Sequence, residues 1–119
     1  FGIGSPFANI PSHVYIGGYL DDDDYRSLER QGVIGDVATV FFRPDGSSDG
    51  IELNRRATGP DFETLRRIPR RICVIADASK LPALHGALSA GLITDLVLDD
   101  ASAKELIERP EEFPATIRE

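Results

Sequence analysis

The chain has 119 residues, 41% hydrophobic and 28% charged, with a net charge of -7. That length supports one domain with a real core and not comfortably two, and the acidic balance excludes long-range attraction to nucleic acid or anionic lipid. One cysteine, Cys73, excludes an internal disulfide, and no apolar run approaches the ~20 residues a membrane helix needs.

Phe1 opens the chain and no methionine occurs in it, so a fragment of a longer protein is expected. "FGIGSP" reads as the end of a buried strand entering a glycine turn, and the residues to 20 read as loop. "DDDDYRSLERQG" predicts a short helix with acidic residues in its first turn and Gly32 after its end. Its aspartates read as a cap on a solvated face rather than as a metal cluster. "DVATVFF" and "IELNRRAT" are β-rich runs separated by the turn formers "RPDGSSDG", which predicts a hairpin or a strand pair with a long tip. "DFETLRRI" predicts a helix with Asp61 as N-cap, Phe62, Leu65 and Ile68 on one face, and Pro69 as its stop.

From Arg71 the pattern is regular: strand "RICVIAD", helix "KLPALHGALSAG", strand "ITDLVLD", helix "ASAKELIER". Both strands are continuous apolar runs, the pattern of strands covered on two faces. Joined by a helix they form a βαβ unit, hence a parallel sheet. Cys73 lies within "ICVIA" and reads as a small buried hydrophobe, which fits a reducing cytoplasm.

Ligands of open parallel sheets collect at the carboxyl ends of the strands, here "FGIGS", "ICVIADASK" and "DLVLDDAS". At the second, Ser79 is a candidate N-cap, and Lys80 stands among free amides at a helix start, which suits an anion or a sugar hydroxyl as well as solvent. "GIGS" lacks a full dinucleotide fingerprint. Arg55 and Arg56 fall on opposite faces of their expected strand, so at most one can point at a given site. His13, His85 and Cys73 lack partners at metal or triad spacing and are given no chemistry. Asp36, inside "GVIGDVATVFFRPDG", is the anomaly. An ionised carboxylate in so apolar a run costs several kcal/mol unless donors meet it, so it either faces water or awaits a partner.

The ordered segments "GVIGDVATVFFRPDG", "LNRRATG" and "LRRIPRRICVIADASKLPALHGALSAGLITDLVLDD" closely resemble the C-terminal part of the sugar-binding effector domain of SorC-type bacterial transcriptional regulators, which are grouped with the DeoR regulators. Those domains show a Gly-Ala-Val-Gly-Asp segment, a Phe-Phe-Asp-x-x-Gly turn, an Asn-x-Arg strand, a Leu-x-x-Ile-Pro helix end and a Gly-Gly-x-x-Lys loop. The resemblance runs from "GIGS" to "SAKELIE" and implies a single effector domain over residues 1–119, cut to its C-terminal portion. The implied fold is α/β, a parallel-sheet, Rossmann-like domain related to the sugar-phosphate isomerase and CoA transferase folds. The implied function is non-catalytic binding of a sugar or sugar-phosphate effector, without metal or cofactor, in a cytoplasmic homo-oligomer that controls carbohydrate-metabolism genes. Operator DNA would be held by an N-terminal helix-turn-helix absent from this chain.

Residue by residue, Asp36 matches the family's Gly-Asp aspartate, expected to accept hydrogen bonds from effector hydroxyls, and Lys80 matches the loop lysine, expected to contact the effector. Gly2, Gly4 and Ser5 match the strand turn at the pocket edge, and Arg56 matches the strand arginine. Three positions depart from the pattern. Ala76 and Asp77 stand where the family has Gly-Gly, and an aspartate there repels a phosphate; Arg43 stands where the family often has an aspartate. An unphosphorylated sugar fits these changes better. The alternative is a phosphosugar isomerase or deaminase on the same fold, with Asp36 and Lys80 as its acid-base pair.

Overall fold

The computed structural model describes residues 1–108. In chain order it contains α1 (His13–Ile16), α2 (Asp22–Arg30), β1 (Gly35–Val37), β2 (Val40–Phe42), a 3-10 helix at Glu52–Arg56, α3 (Phe62–Arg66), β3 (Ile72–Ile75), a 3-10 helix at Ala78–Lys80, α4 (Leu81–Ser89), β4 (Asp95–Leu98) and α5 (Asp100–Glu108).

The N-terminal segment ties two strand pairs together. The Phe1 amino group donates to Ile72 O at 2.7 Å and the Val74 amide donates to Phe1 O at 3.1 Å, so the segment runs parallel to β3. Gly4 and Asp36 then exchange both backbone hydrogen bonds, at 2.9 and 3.0 Å, which sets the segment antiparallel to β1. The resulting order is β2, β1, N-terminal segment, β3, β4. The βαβ unit is present, with β3 and β4 parallel and α4 between them in sequence. The parallel β3–β4 pair is as expected, and the N-terminal segment joins it to an antiparallel hairpin, so the strands together are mixed.

Three further expectations are revised. "DVATVFF" is two strands, not one: β1 and β2 pair through a two-residue turn at Ala38 and Thr39, both at positive φ (50° and 66°). "LNRR" is a 3-10 helix instead of a strand, and Asn54 does by its side chain what a strand would do by its backbone. Its Oδ1 accepts from the Phe41 amide at 2.7 Å and its Nδ2 donates to Phe41 O at 3.0 Å, which satisfies the outer edge of β2. β3 is buried at Cys73 and Ile75 but leaves Ile72 and Val74 exposed, and Val97, opposite Val74 in the register, is exposed as well. The apolar runs are therefore covered on one face among the described residues.

The helices follow local chemistry. In α2 the Asp21 carboxylate accepts from the Asp24 amide at 2.8 Å and Asp24 returns the bond to the Asp21 amide at 3.1 Å, a capping box. The aspartates thus cap, as expected. In α3 the Asp61 cap accepts from the Thr64 amide, Phe62 is buried, and the helix ends at Arg66, which leaves Ile68 exposed rather than on the buried face. α1 lies within the stretch expected to be loop. Ser79 does not cap α4 as expected: Asp77 caps the preceding 3-10 helix, accepting from the Ser79 amide at 2.9 Å, and α4 starts after Lys80 without a side-chain cap. α5 begins one residue before the expected start, and Arg109, the expected last residue, lies outside the described residues.

The hairpin is a wall between two cores. Val37, Val40 and Phe42 pack with Ile3, Phe62, Cys73 and the α4 residues Leu81 and Leu84, whereas Phe41 joins Tyr15, Leu28, Val33, Ile51 and Leu53 on the other side. Truncating a fully buried aromatic such as Phe42 to alanine costs about 3–5 kcal/mol. Asp36 is opposite Phe41 in the hairpin register, and opposite residues share a face. The carboxylate therefore lies on the side of the second core, near the Tyr15 hydroxyl.

Candidate functional site

Asp36 is 6% exposed, and its Oδ1 is buried without a hydrogen-bond partner among the described residues. Gly4 is the reason a carboxylate fits there at all: a Cβ on Gly4 would meet Asp36 Oδ1 at 2.1 Å and Ser12 Oγ at 2.7 Å. Tyr15, on α1, completes the surroundings. Its ring packs on Phe41 and Tyr25 at centroid distances of 6.1 and 6.5 Å, and its hydroxyl is near enough to Asp36 to favour the ionised carboxylate without a hydrogen bond of normal geometry. The Tyr15 hydroxyl and Ser12 Oγ, like Asp36 Oδ1, are buried and make no hydrogen bond of normal geometry among the described residues.

Desolvation raises the Asp36 pKa, against the opposing pull of the Tyr15 hydroxyl, the Thr39 amide and the charge of Lys80. Burial, reinforced by the neighbouring Asp36 charge, pushes Tyr15 far above an ordinary phenol, so it remains a neutral hydroxyl. Lys80 is half-buried at the end of the β3 loop and makes no ion pair among the described residues, while its charge is felt by Asp36, Asp77 and Cys73. Asp77 is held below the usual carboxylate range by hydrogen bonds from the Ser79 hydroxyl and amide, so a second negative charge stands beside Lys80. Burial pushes the Cys73 thiol up to about 11, consistent with an inert packing role.

The residues expected at the site divide into two groups. Asp36, Gly4 and Lys80 share one neighbourhood. Ser5 lies beside them but spends its hydroxyl on the turn, donating to Ile34 O at 3.1 Å and accepting from the Phe7 amide at 3.2 Å. Gly2 is exposed, and a Cβ there would touch nothing. Arg56 holds Asp24 through both terminal nitrogens, at 3.0 and 3.1 Å. It lines a separate cavity of about 490 Å³ with His13, Val14, Tyr19, Leu20 and Phe41, whose wall includes neither Asp36 nor Lys80. Arg43 is structural: it donates to Gln31 O at 2.7 Å and Asp49 O at 2.8 Å, tying the loop after β2 to the end of α2. Ser12 and Tyr15 were not anticipated. The signal for them was a tyrosine three residues after a serine, visible only once the stretch is known to coil into a helical turn.

Residues 1–108 match the family model Sugar-bind, whose description reads "Putative sugar-binding domain". A structure of a domain of "a possible sugar-binding transcriptional regulator" from Arthrobacter aurescens TC1 is 57% identical with a TM-score of 0.80, over 90% of this chain and 40% of that one. A DeoR family transcriptional regulator from Listeria monocytogenes is 35% identical with a TM-score of 0.76, over 87% and 41% respectively. Among curated proteins, the deoxyribonucleoside regulator of Bacillus subtilis (strain 168) is 30% identical over 76% of this chain and 28% of its own length. The transcriptional regulator LsrR of Klebsiella pneumoniae is 26% identical over 89% of this chain and 33% of its own. The chain thus spans about a third of the curated relatives it matches. With a family match over residues 1–108 and an α/β structure shared with these regulators, the chain belongs to the sugar-binding domain family of SorC-, LsrR- and DeoR-type transcriptional regulators.

Proposed function

We propose that this chain is effector-sensing sequence of a SorC-type regulator of carbohydrate-metabolism genes, and that Asp36 accepts hydrogen bonds from hydroxyl groups of a sugar, with Lys80 at the edge of the site. The observation that carries this reading is the buried, unpartnered Oδ1 of Asp36 in a sheet position where an apolar side chain would pack better. A native fold retains such a cost where a ligand offsets it. The local charge favours a neutral sugar over a phosphosugar: Lys80 is felt by the carboxyls of both Asp36 and Asp77, and Asp77 also feels the charge of Asp99. The site binds without turnover, in a cytoplasmic homo-oligomer whose operator contacts come from a separate helix-turn-helix. A ligand moves such a switch only by binding one state better than the other.

The test is thermal stability of the complete regulator against sugars and sugar phosphates. A neutral sugar that raises the Tm, with the rise lost in Asp36→Ala and weakened in Lys80→Ala, supports the reading. Turnover of a sugar phosphate would replace it with an isomerase or deaminase. A sugar response that survives Asp36→Ala would remove that residue from the site.

A further inference from the structure

We propose that Ser12 and Tyr15 join Asp36 in one hydroxyl-reading subsite, with Tyr15 the residue that decides which neutral polyol the chain accepts. The inference rests on the sugar-binding reading above and names the part of the site that discriminates. Three side-chain atoms carry it: Ser12 Oγ, Tyr15 Oη and Asp36 Oδ1, all buried and none with a hydrogen bond of normal geometry among the described residues, the Tyr15 hydroxyl lying close enough to Asp36 to favour its charge. Asp36 and Tyr15 are 6% and 5% exposed, and Asp36 Oδ1 and Ser12 Oγ crowd the same face of Gly4. One orphaned hydroxyl is a local defect; three converging orphans make a set of complementary donors and acceptors.

Their chemistry selects the ligand class. An ionised carboxylate accepts only, while a phenol and an alcohol each donate and accept, so the set matches adjacent hydroxyls of a sugar or sugar alcohol and rejects a second anion. Discrimination by such a set is steep, because a ligand lacking one hydroxyl leaves a buried protein group unpaired. Access runs through α1, which carries Tyr15 and follows Ser12 directly. Its downstream end is Gly17 and Gly18, the latter at φ 78°. The ring of Tyr15 is fixed independently by Phe41 and Tyr25, so the hydroxyl can be removed while the packing stays.

The experiment is titration calorimetry on the complete protein with D-glucose, D-ribose, D-glucitol and their terminal phosphates, for wild type, Tyr15→Phe, Ser12→Ala and Asp36→Asn. The expected result is that Tyr15→Phe weakens the preferred neutral compound about tenfold or more and narrows its preference over the others. Its ligand-free Tm should be unchanged or higher, which separates lost recognition from lost folding. Loss of binding in Asp36→Asn with full affinity and selectivity in both Tyr15→Phe and Ser12→Ala would overturn this inference and leave the sugar-binding reading intact. If no compound binds wild type, or if Asp36→Asn binds as wild type does, the reading fails and the inference with it.

Discussion

A carboxylate buried on the side of an aromatic core destabilises the ligand-free fold, and the pH dependence of that cost has a definite sign. Burial raises the folded-state pKa of Asp36 above its unfolded value, so the folded protein holds the proton more tightly. The contribution is most favourable below the unfolded pKa of about 3.9, declines as pH rises through the folded value, and stays unfavourable above it. Asp45, Asp61, Asp77 and Asp99, all lowered, push the opposite way, so only a difference between variants isolates Asp36. Asp36→Asn keeps the shape and removes the charge. Its ligand-free Tm should exceed wild type at pH 7, by the equivalent of about 1–3 kcal/mol, with the gap closing toward pH 4. Melting curves of both proteins from pH 4 to 8 check this, and a gap that widens in acid contradicts it. The anomaly at Asp36 was legible in the sequence because a charge within an apolar run breaks local consistency. Its companions were not, because Ser12 and Tyr15 reach it through the Gly4 bridge and the α1 turn, contacts without a sequence period.

At the scale of elements, capping rules transferred well and strand rules poorly. The Asp21 and Asp61 caps follow from interactions within one turn, whereas the expected Ser79 cap of α4 is not made. The hairpin was hidden because its turn uses Ala38 and Thr39 where Asn-Gly is the usual signal. Each non-glycine residue in the left-handed region costs about 1–2 kcal/mol, and the sheet partners on both sides of the hairpin hold it there. Gly4 takes the inner edge of β1 and Asn54 the outer edge of β2. Replacing the turn by Ala38→Asn with Thr39→Gly should raise unfolding free energy by about 1–2 kcal/mol, less the Thr39 hydroxyl bond to Ala38 O. Urea titration measures it. A loss of stability would mean that Thr39 repays its backbone cost through contacts that glycine cannot make. The mistaken strand at "LNRR" has a similar origin, since the edge it was expected to fill is filled by one amide side chain.

For the whole molecule, the informative feature is the sheet face that the described residues leave bare. Parallel strands are ordinarily covered on both sides, which is why the runs "ICVI" and "DLVL" read as doubly buried. Here α4 and the first core cover Cys73 and Ile75, while Ile72, Val74 and Val97 are exposed at 43%, 56% and 53%. Burying a valine side chain is worth about 1.5–3 kcal/mol, so two adjacent valines on one open face favour association strongly at experimental concentrations. Residues 1–119 expressed alone should therefore self-associate in sedimentation velocity, and Val74→Thr with Val97→Thr should shift the population toward monomer. The same pair placed in the complete protein separates two explanations of the apolar runs. If the face is covered there, the hydroxyls enter a core and the Tm falls by several degrees. An unchanged Tm would show that the strands carry valine for β-propensity alone and that the bare face is bare in the working protein too.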